Sequence, residues 1–529
     1  MGRVMRHRHR VRAELSSVRT KDTRGLICRT LTSEFGANKI EAEVLSSRSL
    51  EWLGQMGVSA LPGVVRLSVP EGSSKRYSRT RRKVVSVSAV DVGADSACWE
   101  AFGLEVAQRM RLVRWIEQIA RQGACASLAE LASWANLTPT AAQARLSPLR
   151  RLGIYLPHVG GPEDSDDALS TEALLVDRYL TNGATEDLRH LLGVTAPAFE
   201  ATLRRFITVT EGQAVGLSIE ELARTCDRSE AEIAKLASVA HRHRRSAALR
   251  ELRAAYGGVV GASADPASEK AICAELVSRF GFSALSAQVF DDWLSELART
   301  IDPGRTDDGE LVFFAISADE GARARLAEAA QVPVRLSFFT EDDANLSCYA
   351  PARTKVSELK FSRICRFATE ARAQGALLTL PDLALLMGIS VDAVRHAIAS
   401  NPQIVVPTRG RVRDIGRGVS HKAQIVELYL QCHTETEITE LTGHSYASVE
   451  AYLSEFARVV TLADQGLNTV MIRRVTGRSM ALIEAYLALY RRYDSAEYHF
   501  RLAGLRRVFV REEVLAQKGG PTGRRRGPR

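Results

Sequence analysis

The chain has 529 residues, of which 45% are hydrophobic and 25% charged, enough for about three or four globular domains. No apolar run reaches the roughly 18–20 residues that a membrane-spanning helix needs, and no apolar stretch follows the basic N-terminus as in a secretory signal. The eight cysteines contain no CxxC pair, which favours free thiols over a disulfide framework or a zinc site. We therefore expect a cytoplasmic protein with no membrane partner.

Positive charge is concentrated at the two ends of the chain. Residues 1–24 contain eight Lys and Arg against two acids, and residues 501–529 contain nine against two. The net charge of the whole chain is +9, so residues 25–500 sum to −4. We expect a basic disordered arm over 1–24, and a helix followed by a basic disordered tail over 495–529. Such arms suit a polyanion, usually nucleic acid, although a solubilising tail without a partner is the alternative.

The sequence contains an internal repeat. LICRTLTSEFG, from Leu26, matches AICAELVSRFG, from Ala271, and RQGACASLAELASWANLT, from Arg121, matches AQGALLTLPDLALLMGIS, from Ala373. Matches at a nearly constant offset are the mark of an internal duplication. We predict two homologous halves, 25–256 and 269–494, joined by a small-residue linker over 257–268.

Each half repeats one order of predicted elements. An amphipathic helix comes first (KIEAEVLSSRSLEWL; SALSAQVFDDWLSELA), and two alternating apolar runs then predict a β-hairpin (VVRLSV with KVVSVSAV; LVFFAIS with VPVRLSFF). A long helical region fills the rest of each half. The fold class predicted is mainly α: a tandem duplicated array of helix-turn-helix or winged-helix units with a short β-hairpin in each half.

The helical regions contain six spacings typical of a helix-turn-helix. The motif needs a small residue where its helices cross, then a turn residue that tolerates positive φ, then an apolar residue that locks the second helix onto the core. These triplets are Ala132, Asn136 and Ala142; Arg189, Gly193 and Phe199; Ala223, Asp227 and Ile233; Ala384, Gly388 and Val394; Thr439, Gly443 and Val449; and Arg473, Gly477 and Ile483. We expect at least three of the six to serve only as dimerisation or packing modules.

Two of the second helices carry side chains suited to reading DNA. Ser390, Arg395 and His396 form a polar set that could reach base edges, and Ser445 with Tyr446 form a second, weaker set. The last second helix is nearly uncharged on the corresponding face. The candidate base-reading helix therefore follows Gly388.

A basic wing is predicted directly after that helix. A short strand over Ile404–Val406 is followed by a glycine-containing positive loop, and a helix begins near His421. Helix-turn-helix, strand and basic loop form the winged-helix order, in which the wing holds the DNA backbone or the minor groove. The residues predicted to contact phosphates are Arg409, Arg411, Arg413, Arg417, His421 and Lys422. A solvated loop that pairs with acidic neighbours is the alternative.

The first half differs at the same place. The segment LPHVGGPEDSDDALSTEAL has acids at 163, 164, 166 and 167 and no lysine or arginine, so phosphate would repel it. We therefore assign DNA binding to residues 355–460 and expect the first half to have a structural, dimerising or autoinhibitory role.

No enzyme motif is found. The chain has no GxxxxGK[ST] loop, no GxGxxG after a strand, no HExxH and no GxSxG. His421, Cys432, His433 and His444 match no standard zinc spacing. We expect no catalytic residue, no metal site and no cofactor.

The phrases RGRVRDIGRGVSHKAQIVELYL, EITELTGHSYASVEAYL and VTGRSMALIEAYL resemble a bacterial and archaeal domain-of-unknown-function family of multi-helix-turn-helix proteins. The likeness is close over residues 355–495, looser back to 270 and weak across 25–256. The family has no established activity. The resemblance implies only a multi-helix-turn-helix protein that binds DNA.

The function predicted is binding of double-stranded DNA by a non-enzymatic transcriptional regulator, associated with the nucleoid and able to act as a homodimer or with a protein partner. The alternatives are a protein–protein scaffold built from helix-turn-helix units and an accessory DNA-binding component of a mobile genetic element.

Overall fold

The structure is a computed structural model of the chain. It describes residues 11–55, 62–72, 77–154, 156–159, 170–183, 185–226, 228–256, 272–302, 306–321, 328–343, 353–413, 419–442 and 445–505, together with 304, 324, 326 and 507. No helix in these ranges is long and apolar enough to cross a membrane.

The first half of the chain is mainly helical and contains one β-hairpin. Its elements are α1 (Thr23–Ser33), α2 (Lys39–Gln55), β1 (Val64–Gly72), β2 (Tyr77–Ser88), α3 (Val92–Phe102), α4 (Leu104–Arg121), α5 (Leu128–Trp134), α6 (Pro139–Arg151), α7 (Thr171–Asn182), α8 (Glu186–Leu191), α9 (Ala196–Ala214), α10 (Ile219–Cys226), α11 (Glu230–Arg242) and α12 (Ala247–Tyr256).

The second half has the same character. Its elements are α13 (Ile272–Phe280), α14 (Ala284–Ile301), β3 (Glu310–Ser317), β4 (Gln331–Ser337), α15 (Arg353–Ala373), β5 (Ala376–Leu377), α16 (Leu380–Met387), α17 (Val391–Ala399), α18 (Arg409–Val412), α19 (Val419–Leu430), α20 (Glu435–Thr442), α21 (Tyr446–Asp464), α22 (Thr469–Thr476) and α23 (Met480–Tyr493). Residues 499–505 are also helical.

The order of elements recurs from one half to the other. From α1 and α13 through both hairpins to α11 and α23, each element of the second half that has a counterpart begins between 245 and 254 residues after it. The opening helices and both antiparallel hairpins were predicted and are confirmed. Each hairpin also has one further antiparallel pairing. In the first half Ala124, after α4, pairs with Glu71 of β1, and in the second half β5, after α15, pairs with β3.

The chain forms two compact units whose boundary does not fall between the halves. Unit 1 comprises residues 1–320 and 324–400, and unit 2 comprises residues 321–323 and 401–529. Unit 1 therefore contains the whole first half together with the part of the second half that ends at α17. The core of unit 2 is formed by residues of α19 to α23, with Leu502 and Leu505.

Unit 1 has a core to which both halves contribute. Helices α1 and α2 of the first half share one hydrophobic cluster with α13 and α14 of the second. The hairpins also meet, because the backbone N–H of Gly63 donates to Val312 and that of Gly309 donates to Arg66, both at 2.8 Å. These two hydrogen bonds are equivalent, with donor and acceptor exchanged between halves.

Two arginines hold the halves of unit 1 together in the same reciprocal way. Arg111 of α4 donates to the Asp95 carboxylate at 2.6 Å and to the backbone oxygen of Leu385 in α16 at 3.0 Å. In α15 the corresponding Arg363 donates to Asp343 at 3.1 Å and to the backbone oxygen of Ser133 in α5 at 2.8 Å. Each arginine therefore links an aspartate of its own half to the backbone of a helix in the other half.

Both arginine sites are buried and neutralised locally. Burial alone would raise the pKa of Asp95, but Arg111 and Arg114 hold it below its ordinary value. Burial lowers the pKa of Arg363 to about 10. Removing one partner of a buried ion pair leaves an unpaired charge that costs several kcal/mol. Both members of the Arg111–Asp95 and Arg363–Asp343 pairs are therefore needed for the stability of unit 1.

The predicted turns have the predicted backbone. Asn136, Gly193, Gly388 and Gly477 all have φ between +56° and +71°. Asp227 and Gly443 lie outside the described residues. Most of the apolar residues expected to lock the second helices are fully buried, namely Ala142, Ile233, Val394, Val449 and Ile483.

Two local predictions are wrong. The predicted disordered arm is ordered from residue 11 onward, because Leu15, Val18 and Lys21 are buried in unit 1; residues 1–10 are not described. Ile404–Val406 does not form a strand, and the start of the predicted basic loop is the short helix α18. Residues 508–529 of the predicted tail are not described.

Candidate nucleic-acid interface

The α16–α17 pair is built by residues with clear local roles. Thr379 caps α16 and forms a reciprocal capping box with Asp382. Gly388 ends the helix with φ of 63°, a conformation that costs a residue with a side chain about 1–2 kcal/mol. Ser390 caps α17, where its hydroxyl accepts a hydrogen bond from the N–H of Ala393 at 3.1 Å, and Val394 is fully buried.

The outer face of α17 carries the predicted base-reading residues. Arg395 and His396 are exposed, and Ser390 is half-buried at the N-terminus of the helix. Arg395 donates to Asp392, one turn earlier, at 2.8 Å, and its guanidinium lies 3.7 Å from Glu14. Both contacts are at the protein surface, where ion pairs contribute about 0–1 kcal/mol, so Arg395 can exchange them for another partner at little cost.

The neighbour of α17 is the N-terminal segment, which we define as residues 11–22. Lys21 donates to Asp382 at 2.5 Å, and both side chains are completely buried. Leu15 and Val18 are buried on the same segment, while Arg12 and Arg19 pair with Glu100. Leu15, Val18 and Lys21 are spaced three residues apart, and this spacing could have predicted a buried face. The basic composition of the region led instead to the prediction of a disordered arm.

The predicted wing is not a free basic loop. Arg409 is only 3% exposed, and its guanidinium donates to the backbone oxygen of Gly321 at 2.8 Å. Arg411 is half-buried and donates to Gln424, and burial lowers its pKa. Both guanidiniums therefore have acceptors within unit 2, and they lie on a short helix and not on an open basic loop.

The remaining residues of the predicted wing are partly described. Arg413 is half-buried. Lys422 lies 3.9 Å from Glu455 and over the ring of Tyr452. Arg417 lies outside the described residues, as does the side chain of His421, whose backbone belongs to α19.

The second predicted reading set lies on α21. Ser445 caps the helix and accepts from the N–H of Ser448 at 3.3 Å. Tyr446 is half-exposed and donates to the hydroxyl of Thr436 at 2.7 Å. The predicted residues thus divide between the units, with Ser390, Arg395 and His396 in unit 1 and the others in unit 2.

Sequence reasoning missed an exposed face of unit 2 on α22. Val470, Met471 and Val475 are about half exposed, although they are large and apolar. Arg473 and Arg474 lie beside them, and no carboxylate among the described residues is within ion-pair distance of either. Of the residues in α22, only Ile472 is buried.

A charged cavity of about 790 Å³ lies in unit 1 beside α4 and adjoins a smaller one of about 320 Å³. Glu117, Arg121 and Arg228 line both. Arg121 pairs with Glu232 of α11, which holds the α7–α12 bundle against α4. Burial, reinforced by the nearby carboxylate of Glu232, raises the pKa of Glu117 from 4.5 to about 7.

Residues 280–489 match the model of a family described as a protein of unknown function (DUF1670). The predicted resemblance to a family of unknown function is confirmed at that level, and the match begins well before the segment 355–495 where the likeness is close. No curated protein and no solved structure matches the chain.

Proposed function

We propose that the chain is a non-enzymatic regulator that binds double-stranded DNA, and that α17 is its base-reading helix. The observation that carries the proposal is the geometry of the α16–α17 pair, with a left-handed turn at Gly388, a buried Val394 and an exposed Arg395 on the second helix. In a helix-turn-helix, the N-terminal part of such a second helix enters the major groove.

The reciprocal hydrogen bonds of unit 1 support a tandem arrangement of two such units. In the proposal, α5–α6 and α16–α17 are duplicated helix-turn-helix pairs that face each other as the subunits of a two-fold dimer do. Gln143 of α6 stands at the position that Arg395 has in α17. Glutamine and arginine favour different bases, so the two half-sites would differ in sequence.

The test is fluorescence anisotropy with a duplex that the unmodified protein selects from a random-sequence pool. Arg395→Ala should weaken binding to that duplex about 10-fold, the effect of about 1.4 kcal/mol of base contact, and should change binding to an unrelated duplex much less. The matched control is Arg299→Ala, because Arg299 is also exposed and also pairs with an acid one turn earlier on its own helix.

Absence of duplex binding at 50 mM salt would reject the proposal. Equal effects of Arg395→Ala and Arg299→Ala would reject α17 as the reading helix. Because the predicted wing is largely engaged within unit 2, Arg409 and Arg411 are removed from the proposed contacts, and fewer neutralised phosphates should make the salt dependence shallower than a basic wing would.

The apolar face of α22 favours a second candidate function, protein association. Exposed patches of large apolar residues are typical of interaction surfaces. If the partner is a second copy of the chain, light scattering should give a dimer mass that Met471→Glu converts to a monomer mass. A monomer mass for the unmodified protein would argue against self-association.

A further inference from the structure

A cavity of about 1000 Å³ lies in unit 1 beside α5. Its walls come from both halves: β1 and α5 of the first half, and the beginning of β3 and the end of β4 from the second. Pro70, Val159 and Phe339 are half-buried and supply apolar surface, while Glu130, Asp307, Glu310 and Glu341 supply carboxylates. The reading face of α17 does not contribute to this cavity.

The other half shows what occupies the corresponding place. Asp382 in α16 is the equivalent of Glu130 in α5, since each closes the capping box at the start of its helix. Beside Asp382 the N-terminal segment is packed, with Lys21 on the carboxylate and Val18 buried. Beside Glu130 the only cation paired with it among the described residues is Arg82 of β2, which is half exposed.

The chain's own second half does not repeat the pattern that fills the α16 side. At the offset of 245, the equivalents of Leu15, Val18 and Lys21 are Val260, Ser263 and Pro266. No lysine or arginine occurs in the predicted linker over 257–268. The second half thus has no counterpart of the N-terminal segment at this offset, which favours an occupant from another molecule.

The charge of the cavity indicates the charge that its ligand should carry. Arg66 pairs with Asp308, and Arg82 pairs with Glu130. No cation among the described residues is within ion-pair distance of Asp307, Glu310 or Glu341. These carboxylates attract a cationic ligand and repel phosphates, so the cavity is suited to bind a basic peptide and not DNA.

We propose that this cavity binds a basic segment of a partner protein, in the manner in which the α16 side holds the N-terminal segment. The segment has two branched apolar residues three positions apart and a lysine or arginine three positions further on. The apolar residues pack against Pro70 and Phe339, and the cation faces Asp307 and Glu310.

The test uses the full-length protein and a fluorescent synthetic peptide with the sequence VRAELSSVRTKD, which is that of residues 11–22. Anisotropy should show saturable binding. Replacing the peptide's lysine with glutamate should weaken binding about 10-fold, and the double variant Asp307→Asn, Glu310→Gln should weaken it about fivefold to 10-fold. Glu251→Gln is the control, because Glu251 is exposed on α12 of the same unit.

A photo-reactive group at the peptide's second valine locates the site independently of any protein variant. Cross-links to residues 127–134 support the proposal. Cross-links to residues 380–387 would show instead that the peptide displaces the N-terminal segment, and this overturns it. Absence of binding, or equal binding by the double variant and the control, also overturns it.

Discussion

Glu117 makes the stability of unit 1 depend on pH near neutrality. Its pKa is about 7 in the folded chain and 4.5 as the ordinary value, so the folded state holds this proton more tightly than the unfolded state does. Between these two values the folded state binds more protons, and the free energy of unfolding therefore falls as pH rises. At about 1.4 kcal/mol per pKa unit, the loss approaches about 3 kcal/mol above pH 7.

Glu117→Gln removes this titration and keeps the shape of the side chain. We expect the variant to be more stable than the unmodified protein by less than about 1 kcal/mol at pH 5 and by up to about 3 kcal/mol at pH 8. The assay is urea unfolding followed by tryptophan fluorescence. All five tryptophans lie within residues 1–320, so the signal reports unit 1.

The control is Glu251→Gln, an exposed glutamate on α12. Its stability should stay parallel to that of the unmodified protein from pH 5 to 8. If the Glu117→Gln difference is also constant across that range, Glu117 does not hold a proton in the folded chain, and the account of the charged cavity is wrong.

Two further predictions concern the surroundings of α17 and use the same urea assay. Lys21→Met should destabilise unit 1 by about 3–5 kcal/mol, because it leaves the Asp382 carboxylate buried without its cation; a cost below about 1 kcal/mol would contradict the pairing. Gly388→Ala should cost more than Gly153→Ala. Both glycines have positive φ, but a methyl group at 388 would lie 3.0 Å from the Arg111 guanidinium, whereas at 153 it meets nothing within 4 Å. We expect about 1–2 kcal/mol at 153 and about 1–3 kcal/mol more at 388, and equal costs would show that Arg111 moves freely.

The sequence predicted what depends on local chemistry. Alternating apolar residues identified both hairpins, and glycine or asparagine at a fixed position identified turns such as those at Asn136 and Gly388. These features need only the residues within one or two turns of them. Their register and backbone conformation follow from periodicity and from the steric freedom at positive φ.

The exposure of cations depends on distant partners and could not be predicted. Arg409 and Arg411 were predicted to contact phosphates from an exposed basic loop, yet Gly321 and Gln424 supply acceptors for them within unit 2. Lys21 was assigned to a disordered arm, although a carboxylate 361 positions away neutralises it. Residue type alone does not show which cation has an interior acceptor.

The arginines that link the two halves were predictable from the sequence only in part. Arg111 and Arg114 recur as Arg363 and Arg366 at the offset of 252, so aligning the halves could have singled them out. Their partners in the opposite half could not have been assigned, because a repeat in sequence does not state how its copies pack.

The reciprocal arginines also set the order in which unit 1 can be completed during synthesis. The hydrogen bond from Arg111 reaches a residue 274 positions later. A ribosome adding about 5–20 residues per second needs roughly 15–55 s to make the intervening chain. Through that interval the nascent first half holds a guanidinium whose remaining acceptors have not yet been synthesised, so this part of unit 1 is completed only after α16 has emerged.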